Sequence, residues 1–204
     1  MTEPGRTEQT TTSLEEIKKI DLKSLEDKLT PQNRAQVDRY ISNCSEEWSA
    51  GFVLNAIRTS LGKPISNALY LHELEELEEF RRKGHEFVDV NPTIEFRKER
   101  ERLYDTDQGP HLRATLLHCR YLQLLAEKAG YNISLGTCLE YDPISSPQNK
   151  QDLKQQDPTL TVNEEQKEKA KQFFIDLAKD ERNIFDQPLS LGNSRVYSEA
   201  LFEK

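Results

Sequence analysis

The chain has 204 residues, 35% of them hydrophobic and 31% charged, with a formal net charge of −8. That apolar share lies below the ~45–50% usual for globular domains counted with Gly, and no apolar run approaches the ~20 residues that span a bilayer. The acidic balance disfavours a broad nucleic-acid surface, which needs clustered Lys and Arg.

Residues 1–28 read as a flexible N-terminal segment. Met1 to Thr12 is polar and Thr-rich, without the apolar stretch of a secretion signal, which points to the cytoplasm. Ser13-Leu14-Glu15-Glu16 has the capping-box pattern, with Ile17, Ile20, Leu25 and Leu29 behind it at loosely helical spacing, which suits a short helix or a segment that folds only against a partner.

Thr30-Pro31 is a cleaner helix start, because Thr accepts from free amides and Pro at the first position gives up no bond. Val37, Tyr40 and Ile41 follow as a stripe. After Ser45, Trp48, Phe52 and Ala56 and then Val53, Ile57 and Leu61 form two rows on one wide apolar face, closed by Gly62. The next helix runs from Pro64 to about Lys83, with Tyr70, Leu74, Leu77 and Phe80 on its buried side. Glu78 with Arg82 and Glu79 with Lys83 stand four apart on its exposed side, and Gly84 ends it. These elements form a helical domain over 29–90.

A central helical region covers 91–141. Asn91-Pro92 opens a charged helix to about Tyr104. A second helix, His111 to Gly130, carries Leu112, Leu116, Leu117, Cys119, Tyr121, Leu122, Leu124 and Leu125 over more than one face. Apolar cover is needed on several sides of such a helix. Leu112, Leu116, Leu117, Tyr121 and Leu124 are the candidate oligomerisation stripe of a homo-oligomer. Tyr131 to Tyr141 is weakly β-like, and 142–162, rich in Pro, Gln, Ser, Asp and Lys, reads as a linker. Thr161-Val162-Asn163-Glu164 caps a C-terminal helix to about Asp180, followed by a tail to residue 204. In it Phe173, Phe174 and Leu177 are candidate contacts for a larger partner protein. The fold class is mainly α.

No reactive constellation stands out. The three cysteines, Cys44, Cys119 and Cys138, show no close pairing, which suits thiols in a reducing compartment. His-Glu-x-x-His, Walker-type and Gly-x-Gly-x-x-Gly patterns are absent. His72 and His85 flank an acidic helix and read as solvated. His118 adjoins Cys119, but neighbours on a helix point about 100° apart and do not easily share a metal. The Glu73 to Glu79 run reads as a solvated face. No catalytic residue, metal ligand or cofactor is therefore expected, and an enzyme with an unfamiliar site is the least favoured class.

The helix before Gly62 and the helix after Pro64 have the lengths of a helix-turn-helix. The first turn of its second helix would meet DNA, placing Lys63, Ser66 and Asn67 at bases or phosphates and Arg39 and Arg58 on the backbone. Leu29-Thr30-Pro31-Gln32 and Asn55-Ala56-Ile57-Arg58 through Leu61-Gly62, followed by the segments Arg97–Tyr104 and His111–Gly130, resemble the phage terminase small subunits. That resemblance, over 29–130, implies a ring-forming, DNA-binding packaging protein whose C-terminal tail recruits a motor subunit. The alternative is a helical adaptor that binds other proteins and no nucleic acid.

Overall fold

The computed structural model describes residues 14–43, 63–82, 84 and 109–180, with eight α-helices and no strand among them. They are α1 (Leu14–Lys18), α2 (Leu22–Lys28), α3 (Pro31–Asn43), α4 (Pro64–Arg82), α5 (Gly109–Lys128), α6 (Leu135–Tyr141), α7 (Pro147–Gln156) and α8 (Lys167–Asp180). A short 3₁₀ turn, Glu164–Gln166, leads into α8. The proposed helix before Gly62, the charged helix before Tyr104, Cys44, Lys83, His85 and the tail after Asp180 lie outside the described residues.

Helices α4 and α5 form the central pair. Asn67 meets Tyr121, His72 meets His118 and Glu76 meets His111, so the two run antiparallel. The pair buries Leu71, Leu74, Leu77 and Phe80 of α4 and Leu112, Leu116, Leu117 and Leu122 of α5. Helix α3 lies against α4, and α1, α2, α6 and α7 lie against α5. Helix α8 closes the far side of α6, where Gln166 Oε1 accepts from the Ser134 amide at 2.7 Å and Thr137 Oγ1 from the Asn163 amide at 2.9 Å.

The helix ends follow ordinary capping chemistry. Thr30 Oγ1 accepts from the Asn33 amide at 3.1 Å, and Ser146 does the same for Asn149 at 3.2 Å ahead of Pro147. Gly84 and Gly130 take φ of 84° and 87°, the left-handed turn that stops α4 and α5. Asn163, rather than Thr161, caps the turn before α8.

Three expectations are corrected. Residues 14–28 are two short helices whose Ile17 and Leu25 are fully buried, held on by Arg120 Nε donating to the Ile20 carbonyl at 3.1 Å. Tyr131 to Tyr141 holds a helix, not a strand, because Ser134 caps it and Cys138 and Leu139 enter the core. The supposed linker holds α7, with Asp142 and Leu153 buried.

Candidate metal centre

His72 and Glu76 are four residues apart, which stacks them on one face of α4. The face opposite carries His111 and His118, seven apart on α5. Antiparallel packing drives these polar groups together inside the bundle. His72 Nε2 lies 3.2 Å from His111 Nδ1, and His111 Nδ1 lies 3.1 Å from Glu76 Oε2. The third edge, His72 Nε2 to Glu76 Oε2, is 3.8 Å. The Glu76 side chain is 1% exposed and that of His111 26%.

Each of the three groups is held from behind by a different element. Tyr40 of α3 donates its hydroxyl to Glu76 Oε1 at 2.9 Å. Asn149 of α7 places its amide 2.8 Å from His111 Nε2. His118 places Nδ1 2.9 Å from His72 Nδ1 and its other ring nitrogen 2.9 Å from Asp142 Oδ2. Asp142 also accepts from the Ile144 amide at 3.0 Å, the Ser145 amide at 2.9 Å and the Ser145 hydroxyl.

Burial would raise the Asp142 carboxyl, but the adjacent His118 and this set of donors outweigh it and hold it well below the usual carboxylate range. Burial, followed by the neighbouring rings of His111 and His118, pushes His72 well below the ordinary histidine value of 6.5. His72 is therefore a neutral imidazole at pH 7, with one nitrogen free to act as an acceptor or a ligand.

A charged layer flanks the cluster. Glu75 Oε1 accepts from Arg113 Nε at 2.6 Å and Arg82 at 3.1 Å, while Oε2 meets Lys28 at 3.2 Å. Burial opposes ionisation of Glu75, yet Lys28 and Arg113 lower its pKa on balance. Arg82 also pairs with Glu79.

Among the described residues, two groups of side chains have the composition of metal sites. In the first, His72, Glu76 and His111 bring three potential ligand atoms within 3.8 Å of one another. Their edges of 3.1, 3.2 and 3.8 Å bracket the edge of a tetrahedron of nitrogen and oxygen ligands about 2.0–2.1 Å from an ion, which is about 3.3–3.4 Å. The second, His118, Cys119 and Asp142, is different. The Asp142 oxygens are already filled by donors, and burial pushes the Cys119 thiol well up, so it stays protonated, 3.6 Å from Asp142. That group is a closed hydrogen-bond network behind the first.

The residues singled out in the sequence fall elsewhere. Arg39 is exposed on α3, and Lys63 is half-buried before α4. Ser66 is fully buried, and the half-buried Asn67 is engaged by Arg34 at 2.8 Å and the Tyr121 hydroxyl at 3.1 Å. Arg58 lies outside the described residues. Leu112, Leu116, Leu117 and Tyr121 are at most 2% exposed and Leu124 is partly buried, all against helices of the same chain. They need no second copy to cover them. Phe173 and Phe174 are buried, the Phe173 ring meeting Tyr131 at a tilt with centroids 5.7 Å apart, and Leu177 is partly buried.

His72 and three glutamates of the run read as solvated lie in the interior. His72, Glu75, Glu76 and Glu79 are all at most 6% exposed. His118 and Cys119, although adjacent, both reach Asp142. The four-residue spacing of His72 and Glu76 and the seven-residue spacing of His111 and His118 were the available signals. Tyr40, Asp142 and Asn149 had none.

Compared with known proteins, the chain matches no family model, no curated protein and no solved structure.

Proposed function

We propose that this protein binds one divalent transition-metal ion, zinc foremost, through His72 Nε2, His111 Nδ1 and Glu76 Oε2. The carrying observation is the convergence of two imidazole nitrogens and one carboxylate oxygen within 3.1–3.8 Å of one another inside a helical bundle. Two imidazoles and one carboxylate suit zinc and its neighbours in the first transition row, whereas calcium and magnesium favour all-oxygen sets. The back-side partners fit as well, since a metal-binding histidine ordinarily uses its other nitrogen for a hydrogen bond that fixes the ring.

Metal-free, His111 keeps its proton on Nδ1, shared between Glu76 and His72, and Nε2 accepts from Asn149. His111 would hold an ion through Nδ1 with its ring proton on Nε2, and Asn149 would then present its amide oxygen to that proton. Three protein ligands leave a tetrahedral ion one further position for water or an exogenous group.

The test is a metal analysis of the purified chain, then a zinc titration after chelator treatment. One equivalent per chain is expected for the wild type, with loss of tight uptake in His111→Ala and Glu76→Gln. Wild-type protein that takes up no more zinc than a variant carrying both substitutions overturns the proposal.

A further inference from the structure

Resting on the metal-binding reading above, we infer that Asp142 and His118 are positioning residues for the ion: through a chain of two hydrogen bonds they keep the proton of His72 on Nδ1 and so present Nε2 to the metal. The chain runs from Asp142 Oδ2 to His118 Nε2 at 2.9 Å, and from His118 Nδ1 to His72 Nδ1 at 2.9 Å. His118 and Asp142 have side chains at 0% exposure, so no solvent intervenes.

The assignment follows from counting donors and acceptors. Every other hydrogen bond into Asp142 comes from a donor, the amides of Ile144 and Ser145, the Ser145 hydroxyl and the Cys119 thiol. An ionised carboxylate can only accept, so His118 carries a proton on Nε2. With an ion at His72 Nε2 the ring proton can only sit on Nδ1, and His118 Nδ1, 2.9 Å away, accepts it. That leaves His72 Nε2 unprotonated, at the point where His111 Nδ1 and Glu76 Oε2 meet. The opposite order would put an N–H on His72 Nε2, aimed at the ion.

A backbone carbonyl could also accept from His72 Nδ1, but a buried carboxylate behind a second imidazole does more. It draws the proton toward itself, which increases electron density at the ligating nitrogen and locks the ring's rotation. Asp142 is anchored independently of the metal, by the turn that follows α6, so it is rigid enough to act as the fixed end.

The experiment uses the full chain with zinc and, for spectroscopy, cobalt as probes. Nitrogen NMR of the zinc-loaded wild type is expected to show His72 protonated on Nδ1 and His118 on Nε2. Asp142→Asn and His118→Phe should keep a stoichiometry of one but lose roughly 10- to 100-fold in affinity, with altered cobalt absorption bands. Lys23→Ala on α2, a change at a side chain that is 81% exposed, should leave affinity and bands unchanged. If the wild type binds metal but both relay variants bind as tightly, or if His72 carries its proton on Nε2, the inference is overturned while the metal site stands. A wild type that binds no metal overturns both.

Discussion

Nδ1 of His72 lies 2.9 Å from Nδ1 of His118, a contact between antiparallel helices across 46 residues of sequence. Two such nitrogens repel unless one is a donor and the other an acceptor, so the contact sets the protonation of both rings. The pair sits mid-bundle, with Asp142 behind it and Glu76 and His111 in front. Leu71, Leu74, Leu116 and Leu122 of the same two helices are at most 3% exposed. A buried polar string of this kind costs stability unless every member is matched.

Acid should weaken the metal-stripped protein. The folded-state pKa of His72 lies well below 6.5, so its contribution is fully present above the unfolded value and is lost as pH falls toward the folded one. From about pH 6.5 downward the unfolded chain takes up a proton the folded chain refuses, with a limiting slope of about 1.4 kcal/mol per pH unit. Urea midpoints between pH 7 and pH 5 should fall accordingly, and His72→Gln should flatten the slope. The depressed Asp142 value adds its own loss only below about pH 4, the unfolded range for Asp.

Glu75→Gln should destabilise the chain by about 3 kcal/mol, because it leaves the Arg113 guanidinium in the interior with a weakened set of counter-charges. Arg113 and Glu75 are 9% and 2% exposed, and Glu79 stands farther from Arg113, at 3.7 Å. Lys28 and Arg82, each about a third exposed, add little. Urea unfolding of the two proteins at pH 7 measures the difference.

Gly136→Ala should be costly although it lies in a helix, where Ala is ordinarily favoured. An added Cβ would sit 2.6 Å from the Leu160 carbonyl carbon, 2.7 Å from the Thr161 amide nitrogen and closer still to the Thr161 carbonyl oxygen. Those are backbone atoms, so the strand of chain ahead of α8 must move off α6. A loss of about 1–3 kcal/mol is expected, read as a lowered thermal midpoint with α-helical content retained.

Zinc should stabilise the wild type. An ion bound only by the folded chain adds about 2.7 kcal/mol when its free concentration is 100 times Kd. The thermal midpoint should therefore rise with added zinc and return with chelator, while Glu76→Gln should show no such rise.

The ends of α3, α4 and α5 were readable because their signals are local. Thr30-Pro31, Gly84 and Gly130 act within a turn, and the Glu78–Arg82 pair four apart appears at 4.0 Å. Helix α7 announces itself in the same way, with Ser146-Pro147, but Leu153 is its sole buried residue. Its composition therefore resembles a linker, and polar contacts such as Asn149 to His111 hold it instead.

The acidic face of α4 was misread for a different reason. Glu75 and Glu76 are buried because Lys28, Arg113, Tyr40 and His111 come to them from distant parts of the chain. Nothing within a helical turn reveals that. The apolar circumference of α5 does demand cover on several sides. The cover comes from α1, α2, α6 and α7, segments whose brevity and polarity hid them.

The most direct measurement of the central claim is anomalous scattering at the zinc edge from crystals of the full chain grown with one equivalent of zinc. A single peak is expected, about 2.0–2.2 Å from His72 Nε2, His111 Nδ1 and Glu76 Oε2. A protein crystallised with zinc that shows no peak there, or shows its peak between His118, Cys119 and Asp142, would contradict it.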